Sequence, residues 1–413
     1  MEISISTPYR ENSIVNIARA AVRSQELEHF YTTLYLGRWH TVAKKVPIFG
    51  NMLAQEFSRR AFHFLPSDSV INVGSVSELV HIFVRRILGG RHPAVTANLM
   101  YAAKRRFDES VACYLTTNTA DVMIGMYAAC AKTLETVRKR GGLTVLNFVN
   151  SHPTEHNRYL IELAGLKEPH HELMPTWITE RIGRELNAAD IVLVPSNFVA
   201  KQLMRHGIPT DKIVMIPYGV DLTAFYPREG ERKNSKIVEC LYVGQISHRK
   251  GIQFLLEAAS RCKRFPVRFR LVGPIVSPKV LDGMPQNVQY DGAVLPGDVA
   301  NLMRHADIFV LPTLEDSFAL VALEAMASGL AVITTTHAGS SEVLYSGQDS
   351  IVVEPGNAQV LADAIQSLVD DGDMRKYLGQ NARSKVADMG SWADYTNKVL
   401  NEIKLRRWRT DGL

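Results

Sequence analysis

Cysteine is scarce in this chain. Cys113, Cys130, Cys240 and Cys262 are scattered without metal-ligand or redox spacing, which excludes a metal or dithiol centre built on cysteine, and they read as core thiols in a reducing cytoplasm. Long apolar runs are missing too. No stretch approaches the ~20 residues that a membrane helix needs. The opening Met-Glu-Ile-Ser-Ile-Ser has no basic region followed by an apolar one, so no secretory signal is expected. Gly-x-Gly-x-x-Gly follows neither first-strand candidate, which argues against an NAD-dependent dehydrogenase. Charge of one sign is also short. A net charge of +5 over 413 residues is small, and with no recognised binding motif beside it, nucleic acid is not an expected partner.

What is present is ordinary globular material, 46% apolar and 22% charged. At about 100–200 residues per domain, the length implies two domains. Basic residues cluster in the N-terminal third, as Lys44-Lys45, Arg59-Arg60, Arg85-Arg86 and Lys104-Arg105-Arg106, and again at Arg406-Arg-Trp-Arg409. Solvated faces are the usual meaning of such clusters. The functional reading is electrostatic contact with an anionic membrane or an anionic acceptor, which puts the protein in the cytoplasm, peripheral to the inner face of the membrane.

The C-terminal half alternates strands and helices. Strands are expected at 237–244, 267–273, 287–290, 307–311 and 330–335, and helices at 251–262, 296–305, 318–328, 358–370 and 373–388. Strands separated by helices of this length form right-handed crossovers and a parallel sheet, a Rossmann-type domain. In the N-terminal half, 70–73, 111–115, 143–150 and 191–195 are strand candidates, which suggests a second such domain with long helical insertions. Residues 228–236 are charged and lack apolar periodicity, as a linker does. The divisions are therefore 1–230, 231–390 and a closing helical segment, 391–413.

Asp316 and Glu324 stand out. A strand ending at Leu311 runs through Pro312 to Ser317 into a helix that Gly329 stops, and such a helix start offers free amides and a positive dipole end to phosphate or sugar hydroxyls. Asp316 lies in the loop and Glu324 two turns along the helix flank. A second constellation is Val243-Gly-Gln-Ile-Ser-His-Arg-Lys-Gly251, with Arg249 and Lys250 between a strand and a helix. Fixed cations of this kind stabilise a diphosphate leaving group.

The first segment resembles the Glu-x7-Glu signature of the retaining glycosyltransferases of GT-B fold, the group-1 glycosyl transferase family. Pro217-Tyr-Gly-Val-Asp-Leu-Thr-Ala-Phe-Tyr-Pro227 resembles that family's hinge, and 391–409 its segment that crosses back to the N-terminal domain. The resemblance implies two facing Rossmann-like domains with parallel sheets flanked by helices. It also implies roles. Asp316 would hold donor-sugar hydroxyls; the amides of Ser317, Phe318, Ala319 and Leu320 would hold sugar and phosphate; Glu324 would take the ribose diol. Arg249, Lys250 and Gly244 would face the diphosphate, His152 would reach donor-sugar oxygens across the cleft, and Val294 would lie near the base. Three positions depart from the family. Asp316 is one methylene short and must sit closer to the sugar, so either the donor differs or Glu315 contributes; Gln245 replaces an Arg, for which Arg249 could substitute; and Thr7-Pro-Tyr-Arg-Glu-Asn-Ser13 replaces a Gly-Gly loop.

The reaction implied is transfer of a hexose-type sugar from a nucleoside-diphosphate sugar to a hydroxyl acceptor, a glycan, lipid or small glycoside, by front-face displacement with no cofactor and no metal. His156, His170, His171 and Glu172 fit no recognised ligand pattern. The alternative is a catalytically weak sugar-nucleotide or glycan-binding protein of the same fold.

Overall fold

In the computed structural model, residues 1–33, 62, 64–73, 76, 80, 82, 84, 93–228, 230 and 237–411 are described. Two sets of short strands form two wholly parallel sheets, each flanked by helices. The first sheet uses β1 (Ile3–Ser6), β2 (Leu27–Thr32), β3 (Val70–Asn72), β4 (Val122–Met126), β5 (Leu143–Asn147), β6 (Ile191–Val194) and β7 (Ile213–Met215), in the order β3-β2-β1-β4-β5-β6-β7. Its helices are α1 (Asn12–Arg23), α2 (Pro93–Tyr114), α3 (Ala131–Lys139), α4 (Pro153–Ala164), α5 (Thr176–Ala188) and α6 (Asn197–Arg205).

The second sheet uses β8 (Val238–Val243), β9 (Val267–Val272), β10 (Val288–Gly292), β11 (Ile308–Leu311), β12 (Ala331–Thr335) and β13 (Ile351–Val353), in the order β10-β9-β8-β11-β12-β13. Around it lie α7 (Ile252–Arg261), α8 (Pro296–His305), α9 (Leu320–Ala327), α10 (Ala358–Asp370) and α11 (Gly372–Met389). In each sheet the strand order reverses once, at β1/β4 and at β8/β11, and crevices for ligands open outside the carboxyl ends of strands at such points. β8 pairs directly with β11, Ile308 opposite Cys240 and Phe309 opposite Leu241. The loops leaving these two strands are the two constellations picked out in the sequence, so sheet topology alone brings them together.

One strand expectation fails. Residues 111–114 close α2 instead, with Leu115 just beyond its end, because Phe107, Val111 and Leu115 recur every four residues and all three are buried. Strands β2, β4, β7 and β13 lie outside the strand expectations. Of the cysteines, Cys130, Cys240 and Cys262 are buried thiols, but Cys113 is exposed rather than in the core.

The last helix, α12 (Trp392–Asp411), lies against the N-terminal half. Lys404 pairs with Glu26 at 2.9 Å, Arg406 donates to the Asp211 carbonyl at 2.6 Å, and Arg407 meets Asp121 at 3.5 Å. At the crossing, Tyr218 packs on Phe318, Trp392 and Tyr395, with ring centroids 4.9, 5.5 and 5.4 Å away. Gly219 permits this approach, since a Cβ there would lie 2.2 Å from the Ser391 carbonyl carbon.

The basic pairs at 44–45, 59–60 and 85–86, and most of the 228–236 linker, lie outside the described residues. In the remaining cluster, the Lys104 ammonium sits 4.7 Å over the Tyr9 ring and Arg105 bonds Glu109 at 3.2 Å. No described helix is long and apolar enough to cross a membrane.

Candidate functional site

Two consecutive cations meet two consecutive carboxylates where the β8 and β11 loops touch. Gly251, at φ +71°, turns the chain into α7, and a Cβ there would lie 1.9 Å from the Pro312 carbonyl oxygen. Glycine is required on both counts. The close approach is fixed further by Leu314 N–H, which donates to the Arg249 carbonyl at 2.8 Å. Lys250 then pairs with Asp316 through its ammonium. Arg249 lies 3.6 Å from a Glu315 carboxylate oxygen, and it donates to the Glu315 carbonyl at 3.2 Å and to Gln245 Oε1 at 3.3 Å. Gln245 thus holds Arg249 rather than replacing a cation.

Asp316 and Glu315 do different work. Asp316 Oδ1 accepts from the amides of Phe318 and Ala319 at 3.3 and 2.8 Å, so two of the amides assigned to sugar and phosphate are occupied by this carboxylate. Ala319 itself takes φ +61° at the start of α9, which leaves Leu320 as the first helical residue. Ser317 ties the halves together: its hydroxyl donates to the Val149 carbonyl at 2.6 Å, and its carbonyl accepts from Ser196 Oγ at 2.7 Å.

Glu315 is buried between the halves. It accepts from Ser151 Oγ at 2.6 Å and faces His156 Nδ1 at 2.9 Å. Burial alone would raise its carboxyl pKa, but the His156 hydrogen bond, the Arg249 charge and Ser151 hold it well below the ordinary range. The Lys250 ammonium is pushed down, first by burial and then by Arg249, with Asp316 opposing.

Glu324 lines a cavity of about 1260 Å³ with Lys250, Gly244 and Val321, opposite Asn12, Asn16 and Arg19 of α1. Its side chain has no hydrogen-bond partner among the described residues. Burial pushes its carboxyl from the ordinary 4.5 up to about 7. Val294 is not on this wall and packs against the core instead; Val299, Ala300 and Arg304 of α8 take that place, with the Arg304 guanidinium 4.7 Å over the Tyr226 ring. Across the cleft, Glu11 stands where the family has its glycine loop. It accepts from the Ser13 and Ile14 amides at 2.9 and 3.1 Å and so caps α1. The helix start that would otherwise offer its amides to a phosphate is already satisfied.

His152 does not reach across the cleft. It is the N-cap of α4, accepting from Thr154 N–H at 3.3 Å, with its ring stacked on His206 at 3.8 Å. Burial, helped by His206, holds its pKa down at about 4. The histidine that meets the carboxylate motif is His156, one turn on, whose Nε2 also donates to the Glu172 carbonyl at 2.8 Å. Sequence spacing gave no sign of this, because the partners are distant in the chain.

His170, His171 and Glu172 bring three ligand atoms within 4.8 Å of one another, the only such group among the described residues. Those atoms are engaged, however. Glu172 accepts from His248 N–H at 3.0 Å, His248 Nδ1 at 2.8 Å, Arg249 N–H at 2.9 Å and Ser277 Oγ, and His171 Nε2 lies 2.9 Å from Ser277 Oγ. A metal ion would have to break these bonds. Glu172 instead fastens the β8–α7 loop to the N-terminal half.

Residues 238–371 match the family model for glycosyl transferases group 1, and residues 151–224 match that for glycosyltransferase family 4. The D-inositol 3-phosphate glycosyltransferase of Pseudarthrobacter chlorophenolicus is 30% identical over 221 residues, 49% of this chain and 53% of that protein. A sulfoquinovosyl transferase of Arabidopsis thaliana is 26% identical over 232 residues, 52% of this chain and 44% of that protein. The chain spans about half the length of the curated relatives it matches. Among solved structures, sucrose-phosphate synthase from Thermosynechococcus elongatus is similar with a TM-score of 0.67 at 17% identity over 100% of both chains. Anabaena HepE, crystallised with UDP, is similar at 0.66 and 14% identity, over 98% of this chain and 100% of that one. These relatives do not favour the binding-only alternative.

Proposed function

The chain belongs to the group-1 glycosyl transferases of GT-B fold, and from that premise we propose that it is a retaining, metal-independent enzyme moving a hexose-type sugar from a nucleoside-diphosphate sugar to a hydroxyl acceptor. Glu324 carries the proposal. A half-buried carboxylate that lines a cavity beside Lys250, with its pKa raised to about 7 by desolvation and no side-chain hydrogen bond among the described residues, is placed to receive a ligand's donors. A ribose diol would satisfy it with two hydroxyl donors.

The diphosphate then lies toward Lys250, on the same cavity wall, and replaces Asp316 as the counterion of its ammonium. Lys250 and the α9 dipole stabilise the charge that develops on the leaving oxygen. Asp316, freed from Lys250, accepts hydroxyls of the transferred sugar. The acceptor oxygen bonds to the anomeric carbon on the face from which phosphate departs; the carbon–phosphate oxygen bond breaks, and the acceptor's proton passes to that phosphate oxygen. Configuration is retained without a protein nucleophile, and the enzyme contributes positioning and electrostatics.

HepE has also been crystallised with UDP-glucose, which makes that the first donor to try. The test is UDP binding by calorimetry, followed by NMR of the sugar released from UDP-glucose in the presence of a chelator. Retained configuration and chelator-insensitive turnover are expected; an inverted product, or turnover that requires added divalent cation, overturns the reading.

A further inference from the structure

We infer that a second cavity, on the other side of the same two ion pairs, receives an uncharged polyol as the acceptor, and that Arg249 serves this acceptor side rather than the diphosphate. The inference rests on the transferase reading and adds a substrate class to it.

The cavity, about 500 Å³, is bounded by Tyr101 of α2 and the 169–175 loop on one half and by Gln245, Ser247 and Arg249 on the other. That volume falls within the ~300–1,000 Å³ of small-molecule pockets. Consecutive side chains divide the two spaces. Arg249 and His156 line this cavity, whereas Lys250 lines the one that holds Glu324. Each of these two cations is paired with a carboxylate of the β11 loop, Arg249 with Glu315 and Lys250 with Asp316. A diphosphate that draws Lys250 away from Asp316 frees that carboxylate next to the Arg249–Glu315 pair.

The wall has little to offer an ion. Arg249 is answered by Glu315, and the Glu172 carboxylate by four donors, which hold its pKa down at about 2 despite burial. His170 lies below its ordinary value, through burial and then His171, and so is neutral near pH 7. What remains suits hydroxyls. Gln245 spends its carbonyl on Arg249, and Ser247 Oγ accepts from Lys250 N–H at 3.3 Å. The Gln245 NH2 group and the Ser247 hydroxyl proton have no protein partner among the described residues. Tyr101, held edge-on to Trp177 at 5.3 Å, presents an apolar ring with a polar tip, a surface that matches a sugar ring.

The experiment uses saturation-transfer NMR on the full chain with saturating UDP, and three probes: methyl α-glucoside, octyl glucoside below its micelle concentration, and glucose 6-phosphate. The neutral glucosides are expected to bind more tightly than the phosphate, and a gain for octyl glucoside would indicate a lipid-linked source. Ala97→Trp, which fills the cavity from α2, should weaken glucoside binding at least tenfold while UDP affinity stays within twofold. Arg249→Gln should likewise spare UDP affinity, whereas Lys250→Gln should lower it. Preferred binding of glucose 6-phosphate, no glucoside binding to the parent protein, unaltered glucoside binding in Ala97→Trp, or loss of UDP affinity in Arg249→Gln each overturns the inference. Failure of UDP to bind the parent protein would instead sink the transferase reading itself.

Discussion

Replacing Glu324 with Gln should move stability and ligand affinity in opposite directions. In the folded protein burial lifts this carboxyl from 4.5 to about 7, while the unfolded chain keeps the ordinary value. The folded state therefore holds the extra proton between those limits. Stability falls as pH rises from about 4.5 to about 7, then levels off, and the full penalty is about 3 kcal/mol at ~1.4 kcal/mol for each tenfold change in ionisation. Gln carries no such penalty. Glu324→Gln should thus match the parent near pH 4.5 and melt several degrees higher at pH 8, since 1 kcal/mol is worth roughly 2–4 °C in domains of about 150–250 residues. UDP binding should change the other way. Losing charge-assisted bonds to the ribose diol costs about 1.5–3 kcal/mol, roughly ten- to 150-fold in affinity. Because the carboxyl must ionise to accept both hydroxyls, parent affinity should climb with pH up to about 7 relative to the variant. Calorimetry and thermal melts of both proteins over pH 4.5–8 measure all of this. A melting difference that does not vary with pH, together with unaltered UDP affinity, would refute both the burial argument and the ribose assignment.

Asp316→Asn keeps an oxygen for the Phe318 and Ala319 amides but no longer pairs with Lys250, so the fold should survive while turnover drops about 100-fold, misplacement at a reacting sugar being that costly; normal turnover would remove Asp316 from the sugar. Glu315→Gln breaks a buried pairing between the halves, and removing one partner of such a pair costs about 3–5 kcal/mol; urea melts showing under 1 kcal/mol would mean that the halves do not close on Glu315. Gly251→Ala must relieve a 1.9 Å contact with the Pro312 carbonyl at a left-handed φ, and a loss of more than 2 kcal/mol is expected by the same melts. A neutral result there would show that the two loops do not meet as described.

Much of the C-terminal half was legible in the sequence, because its signals are local. Alternating apolar strands and amphipathic helices specify parallel crossovers, and parallel strands must be covered on both faces, so that a Rossmann-type sheet follows from periodicity. The Gly251 and Asp316 loops could be placed because glycine and aspartate punctuate chains in known ways. In the N-terminal half the apolar residues at 111–115 suit a strand or a helix, and only packing of Phe107, Val111 and Leu115 decided that 111–114 end a helix.

The site divides along the same line. Sequence was enough to single out the carboxylate pair, Lys250 and the strand-loop-helix that presents them, since each is fixed by near neighbours in the chain. It could not say that Asp316 would spend itself on helix amides while Glu315 turned to the other half, because the two differ only in which way alternate side chains point once β11 is paired. Nor could it choose His156 over His152, find Glu172 beneath the β8–α7 loop, or divide Arg249 from Lys250 between two cavities. Those outcomes depend on contacts between residues as many as 164 positions apart, as with Ser151 and Glu315. Such contacts exist only after the two halves have closed on each other.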